Sequence, residues 1–119
     1  MIKAIILSVS LLIPIQEHRH PDGVVQDPRV AEFYETWREP QTRKTYCCSK
    51  QDCYSAEVRL RNGRREYLHK WSGQWFTLPD TVLEAYSPDP RESPDGGNHV
   101  CANPNNGNLV YCAVLGEGG

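Results

Sequence analysis

Ala56-Glu57-Val58-Arg59-Leu60-Arg61-Asn62-Gly63-Arg64-Arg65-Glu66-Tyr67-Leu68-His69-Lys70-Trp71 carries the strongest structural signal in the chain. From Ala56 to Arg61 apolar and charged residues alternate strictly, the period of a strand with one buried face. Asn62-Gly63 then supplies two residues that tolerate positive φ, as a two-residue hairpin turn requires. Pairing about this turn sets Val58 opposite Tyr67, Leu60 opposite Arg65 and Ala56 opposite His69. On the other face Arg59 meets Glu66, a favourable cross-strand ion pair. Ser72-Gly73 turns the chain again, and Gln74 to Leu78 form a third strand with Phe76 beside His69 and Leu78 beside Tyr67. Val58, Leu60, Tyr67, Trp71, Phe76 and Leu78 thereby share one face, while the other is mostly charged. The segment reads as a three-stranded meander buried on one side.

Upstream, Asp27-Pro28 has the form of a helix N-cap followed by proline at the first helical position. Val30, Phe33, Tyr34 and Trp37 follow at helical spacing, and Pro40 ends the run. This predicts an amphipathic helix of about ten residues whose aromatic face covers a sheet. Residues 41–54 read as a loop carrying three cysteines. Downstream, Pro79 to Tyr86 read as a short helical turn, and Ser87 to Gly97 as a loop rich in Pro, Asp and Gly. His99 to Asn103 and Leu109 to Val114 flank a second turn signal, Asn105-Asn106-Gly107-Asn108. With Asn106-Gly107 as its centre, Cys101 lies opposite Cys112, within disulfide reach. Equally, both side chains can point into the domain toward Cys47, Cys48 or Cys53.

A chain of 119 residues, 39% of them apolar, with nine prolines and nine glycines, holds one domain with a small core. Met1-Ile2-Lys3 followed by the apolar run Ala4 to Ile15 matches a signal-peptide pattern, too short to span a bilayer comfortably, which takes about 20 residues. The expected small residues before a cut at Gln16 are missing, so residues 1–15 read as a signal peptide or an N-terminal anchor. Residues 16–27 read as a flexible, histidine-containing arm, and 28–119 as the single small domain. Loss of Lys3 with the leader takes the net charge from −2 to −3. Such a mild charge gives no reason to expect nucleic acid or an anionic membrane as partner.

Five cysteines, Cys47, Cys48, Cys53, Cys101 and Cys112, behind such a leader read as a disulfide framework of two bridges with pairing open and one sulfur over. Zinc is the competing use, with His99 as a further ligand. The spacing lacks a C-x2-C pair, and adjacent cysteines do not easily share one tetrahedron, so bridges are the preferred reading. Phe33-Tyr34-x-x-Trp37, Cys47-Cys48-x4-Cys53, Pro94-Asp95-Gly96-x-x-His99-x-Cys101 and Val110-Tyr111-Cys112 together resemble a family of small exported proteins of alphaproteobacteria and their prophages. The resemblance spans most of residues 16–115. It implies export and one compact fold, and it carries no known activity.

Candidate chemistry is sparse. His18 and His20, in the arm, offer a copper or nickel chelate if the chain starts at Gln16. Exposed aromatics near the second turn suit stacking on sugars or peptide side chains, with Trp75 on the outer face. Arg59, Arg61 and Arg64 cluster at the first hairpin as a candidate anion or glycan contact, diluted by Glu57 and Glu66. Asp52, Asp80, Glu84, Asp89 and Asp95 have no spacing that forces two carboxylates together. No P-loop, dinucleotide fingerprint, HExxH or GxSxG occurs, and no catalytic residue is assigned. The chain is therefore read as an exported α+β domain, periplasmic or extracellular. In it one N-terminal helix packs on a small antiparallel sheet of about five strands, a meander plus a C-terminal hairpin. The functional reading is a non-enzymatic binding module for an unknown protein or envelope component, touching membrane only through an uncleaved N-terminus. The alternative is a periplasmic metal-binding or thiol-redox protein using His18, His20 or an unpaired cysteine. No cofactor is expected, with copper or zinc as the metals that alternative would take.

Overall fold

A computed structural model describes residues 27–49 and 52–116. The leader, His18 and His20 lie outside the described residues. In chain order the elements are helix α1 (Pro28–Thr36) and strands β1 (Cys53–Ser55), β2 (Val58–Arg61), β3 (Arg64–His69) and β4 (Gln74–Thr77). Two 3₁₀ turns follow (Asp80–Val82, Glu84–Tyr86), then β5 (His99–Asn103) and β6 (Asn106–Val114). The α+β class holds, but the strands divide into two antiparallel three-stranded sheets, ordered β1-β5-β6 and β2-β3-β4.

The helix starts as its sequence dictates. The Asp27 carboxylate accepts from the Arg29 backbone N–H at 2.8 Å, and Pro28 occupies the first turn, where its missing donor costs nothing. Phe33 and Trp37 are buried against Cys47, Cys101, Cys112 and Val114. On the opposite side of the same strands, Val100, Ala102 and Ala113 meet Tyr67, Leu78 and Leu83. β5 is therefore the middle of three layers. His99 and Cys101 face α1, Val100 and Ala102 face the meander, and all four are buried.

The first hairpin follows its expected register: Val58 pairs with Tyr67, Arg59 with Glu66 and Leu60 with Arg65. Asn62 and Gly63 have φ of 53° and 77°, the two positive values of the tight turn. The Arg59 guanidinium binds the Glu66 carboxylate at 2.7 Å. Ala56 lies just before β2 and does not face His69 across the ladder.

The remaining turns differ from expectation. His69 pairs with Gln74, and Tyr67 with Phe76, because Lys70 to Gly73 form a four-residue turn closed by Gly73 N–H on the His69 carbonyl at 2.8 Å. This slip of two residues preserves the faces. His69 still packs edge-on to Phe76, with ring centroids 5.4 Å apart. Leu60 is 72% exposed and Trp71 38% exposed, so neither belongs to the core as alternation implied. The hairpin end projects past the layer that would cover Leu60, and Trp71 sits in the enlarged turn.

In the C-terminal hairpin Cys101 does lie opposite Cys112, yet Asn103 pairs with Asn106 and the turn falls at Pro104-Asn105. Two irregularities between β5 and β6, each leaving extra residues on β6, absorb the difference. Asn106-Gly107 therefore belongs to β6, and Gly107 serves a packing role. Its carbonyl accepts from the Tyr67 hydroxyl at 2.6 Å, and a Cβ there would run into the Phe76 ring. The absent side chain is what lets the two sheets approach.

We predict that Gly107→Ala destabilises the domain by about 1–3 kcal/mol through overpacking. Phe76→Leu in the same chain should restore part of the loss. Chemical denaturation of the two single variants and the double variant measures this. Additive losses would contradict the steric account.

Candidate functional site

Register brings the cysteines together. Cys53 faces Cys101 across β1–β5, and Cys101 faces Cys112 across β5–β6. The three occupy one row across the sheet, on the face covered by α1. Cys47 and Cys48 lie over this row, held in part by the Cys47 N–H on the Trp37 carbonyl at 2.8 Å. Cys47 bridges Cys112, with Cα atoms 5.7 Å apart. Cys53 lies within bridging reach of both Cys48 and Cys101. One sulfur holds one disulfide partner, so within one chain five cysteines can form at most two bridges. Disulfides point to an oxidising, non-cytoplasmic compartment. No helix among the described residues is long and apolar enough to cross a membrane.

Beside these sulfurs lies an open cleft of about 600 Å³. Tyr46, Trp71 and Tyr111 form its aromatic rim, and Ser49, Asp52 and Asn103 supply polar groups. Each ring is held from behind. Arg38 donates to the Tyr46 hydroxyl at 2.9 Å and lays its guanidinium 4.5 Å from the ring centre. Tyr54 meets the Trp71 ring edge-on at 5.2 Å. Its hydroxyl donates to the Leu68 carbonyl at 2.8 Å, and burial pushes its pKa up to about 12. The Asn103 side-chain amide donates to the Tyr111 hydroxyl at 3.1 Å. Asp52 accepts from the Ser49 N–H at 2.6 Å, which fixes the floor. Rings half open to water beside hydrogen-bonding groups suit a ligand with one apolar face and several polar atoms.

Among the residues singled out from sequence, the five cysteines converge. Trp75, Arg59, Arg61 and Arg64 do not line the cleft. The Arg59 guanidinium lies 4.0 Å from the centre of the Trp75 ring and is also paired with Glu66, so charge and ring engage each other. Arg61 and Arg64 face one another at the exposed end of the first hairpin. Tyr46, Asp52 and Tyr111 were not anticipated as a site. They come from the connection between α1 and β1 and from β6, and no local spacing signals that they meet.

His99 is not available to zinc. Its Nε2 donates to the Asp95 carboxylate at 2.7 Å, which leaves Nδ1 to accept from the Tyr34 hydroxyl at 2.7 Å. Asp95 also accepts from the Gly97 N–H at 2.9 Å and from the Ser93 hydroxyl at 3.2 Å. The Pro-Asp-Gly-x-x-His segment is thus a loop that locks itself and then holds α1 through Tyr34. His69 is committed likewise, to the Asn103 carbonyl at 2.9 Å and the Ser72 hydroxyl at 2.7 Å. Among the described residues, a metal could be held by Cys48, Cys53 and Cys101, whose sulfurs lie within 4.8 Å of one another. Zinc takes thiolates, so such a site requires the Cys53 bridge to be reduced.

No protein-family model, curated protein or solved structure matches the chain.

The His99 hydrogen bond, then the Gly97 N–H and the Ser93 hydroxyl, hold the Asp95 carboxyl down to about 2. A carboxyl depressed in the folded state contributes stability above its ordinary pKa, and the contribution disappears as pH falls toward 2. We predict that melting temperature falls between pH 4 and pH 2, and that Asp95→Asn flattens this part of the profile. It should also lower stability at pH 7 by about 1 kcal/mol, allowing for solvent screening. An unchanged acid profile in the variant would contradict the assignment.

Proposed function

We propose that the protein is an exported, non-enzymatic interaction module that binds a component of the cell envelope through the Tyr46–Trp71–Tyr111 cleft. The observation that carries this reading is the cleft itself. Three large rings stay partly in water although the core is small, and each is held in place by Arg38, Tyr54 or Asn103. Rigid aromatic surface loses little conformational entropy on binding, which makes such rings effective anchors. The disulfides hold Cys47 and Cys53, close in sequence to the lining residues Ser49 and Asp52. The periplasm or the cell exterior is the compartment this reading takes, in keeping with the bridges and with the leader-like start of the chain.

A second reading, a thiol-redox or metal-binding protein, draws on the clustering of Cys48, Cys53 and Cys101. Its copper-chelating form through His18 and His20 falls on residues outside those described.

Co-sedimentation with envelopes isolated from the host tests the first reading. The wild type should pellet with them, and Trp71→Ala or Tyr46→Ala should weaken binding at least about tenfold, the loss of a central aromatic anchor. Arg64→Ala, at the hairpin end, should bind as wild type. Failure of the wild type to pellet, or equal binding by all variants, would contradict it. Release by a glycan-degrading enzyme or by a protease would then tell a sugar ligand from a protein one.

A further inference from the structure

Three of the five sulfurs compete for one bridge. Cys47 and Cys112 satisfy each other, which leaves Cys48, Cys53 and Cys101. Cys53 and Cys101 share a register position. The flanking Ala102 N–H to Asp52 carbonyl bond, 3.0 Å, makes theirs the closely spaced type of antiparallel pair. Their Cα atoms are 4.0 Å apart, below the usual disulfide range of roughly 4.4–6.8 Å. Cys48 and Cys53 are 5.4 Å apart, well inside it. The resting bridge is therefore Cys48–Cys53, with Cys101 as the thiol. That thiol is fully buried, and its sulfur lies 3.0 Å from that of Cys48.

We propose that Cys48, Cys53 and Cys101 form an internal thiol–disulfide relay that moves the single free thiol between the core and the rim of the cleft. In the forward step the Cys101 sulfur bonds to the Cys53 sulfur, the Cys48–Cys53 bond breaks, and the proton of the Cys101 thiol passes to the departing Cys48 sulfur, 3.0 Å away. One disulfide and one thiol are present before and after, so no external oxidant or reductant is needed. The exchange changes location. Cys101 is enclosed, whereas Cys48 is partly exposed and lies between Cys47 and Ser49, both of which line the cleft. There its thiolate can attack a disulfide of a partner molecule, forming a mixed disulfide and releasing the partner's other sulfur as a thiolate. Cys53 has the part of the shared sulfur, and the buried Cys101 keeps the resting protein closed to such attack.

The relay deepens the thiol-redox reading and does not depend on ligand binding in the cleft. A failed relay leaves the envelope-binding experiment intact, and the reverse holds too.

Two alkylations of the oxidised protein test it. In the first, the protein is quenched in acid, denatured, alkylated with N-ethylmaleimide and mapped by mass spectrometry. The adduct should fall mainly on Cys101. In the second, the native protein is held with N-ethylmaleimide at pH 8. One adduct should accumulate on Cys48, together with a Cys53–Cys101 bridge. Cys101→Ser and Cys48→Ser, each with an even number of cysteines, should take up no reagent in the native state. A small aromatic disulfide in place of the maleimide should release one equivalent of its thiolate from the wild type and none from Cys101→Ser. The same cysteine labelled under both conditions, native labelling at Cys101, or no reactive thiol at all would overturn the relay.

Discussion

Cys53, Cys101 and Cys112 occupy one register position on three adjacent strands, with α1 and the Cys47–Cys48 pair laid over them. This row constrains everything around it. A sheet only three strands wide, with one nine-residue helix above it, buries too little apolar surface to be secure by packing alone. The Cys47–Cys112 bridge spans 65 residues, and closing a loop of that size in the unfolded chain corresponds to about 4 kcal/mol in the chain-entropy model. It ties the loop after α1 to the last strand, so these two segments stay joined even in the unfolded chain. Cys48, next in sequence, is thereby carried over Cys53 and Cys101.

Charge is buried in the same layer, and only where it is fully answered. Glu84 is almost inaccessible, and burial alone would raise its pKa. Two hydrogen bonds from Arg43 at 2.7 and 2.8 Å, the Arg91 N–H at 2.8 Å and the Trp37 indole N–H at 2.8 Å outweigh burial and hold the carboxyl below its usual range. Arg43 adopts φ of 61°, a conformation uncommon for a side-chain-bearing residue. Its guanidinium also donates to Ser87 at 3.0 Å and to the carbonyls of Arg38 and Asp89 at 2.8 Å. One ion pair thus joins the end of α1, the following loop and the segment after the 3₁₀ turns. Removing one partner of such a pair leaves a bare buried charge. The Asp95–His99–Tyr34 chain anchors the helix beside it, through a more exposed carboxylate and a tyrosine stacked on Trp37.

The parts of the fold legible in the sequence are those fixed by local rules. Asn62-Gly63 between alternating residues set both a turn and a register, and Asp27-Pro28 set a helix start. Cys101 does lie opposite Cys112, although the turn from which that pairing was counted lies elsewhere. What escaped was set by contacts between distant segments. Ser72-Gly73 signals a turn without saying whether two or four residues make it. Asn106-Gly107 carries a turn signal, yet glycine stands there because the Phe76 ring occupies the space of a side chain. Alternation placed Leu60 in the core, but the period of a strand does not say where the covering layer ends. The cleft was hidden for the same reason: Tyr46, Asp52, Trp71 and Tyr111 meet only after both sheets are assembled. Adjacent Cys47 and Cys48 left the bridge pattern open, since either could reach any of the other three until the row on the sheet was known.

The central claim is that this row assigns the sulfurs: Cys47 to Cys112 without exception, and Cys53 to one of its two neighbours. The most direct measurement is disulfide mapping of the oxidised protein, alkylated at low pH to stop exchange, with electron-transfer fragmentation to separate Cys47 from Cys48. The account predicts a Cys47–Cys112 bridge in every molecule, a second bridge joining Cys53 to Cys48 or Cys101, and one alkylated cysteine. A Cys101–Cys112 bridge, or Cys47 joined to Cys53 or Cys101, would contradict it.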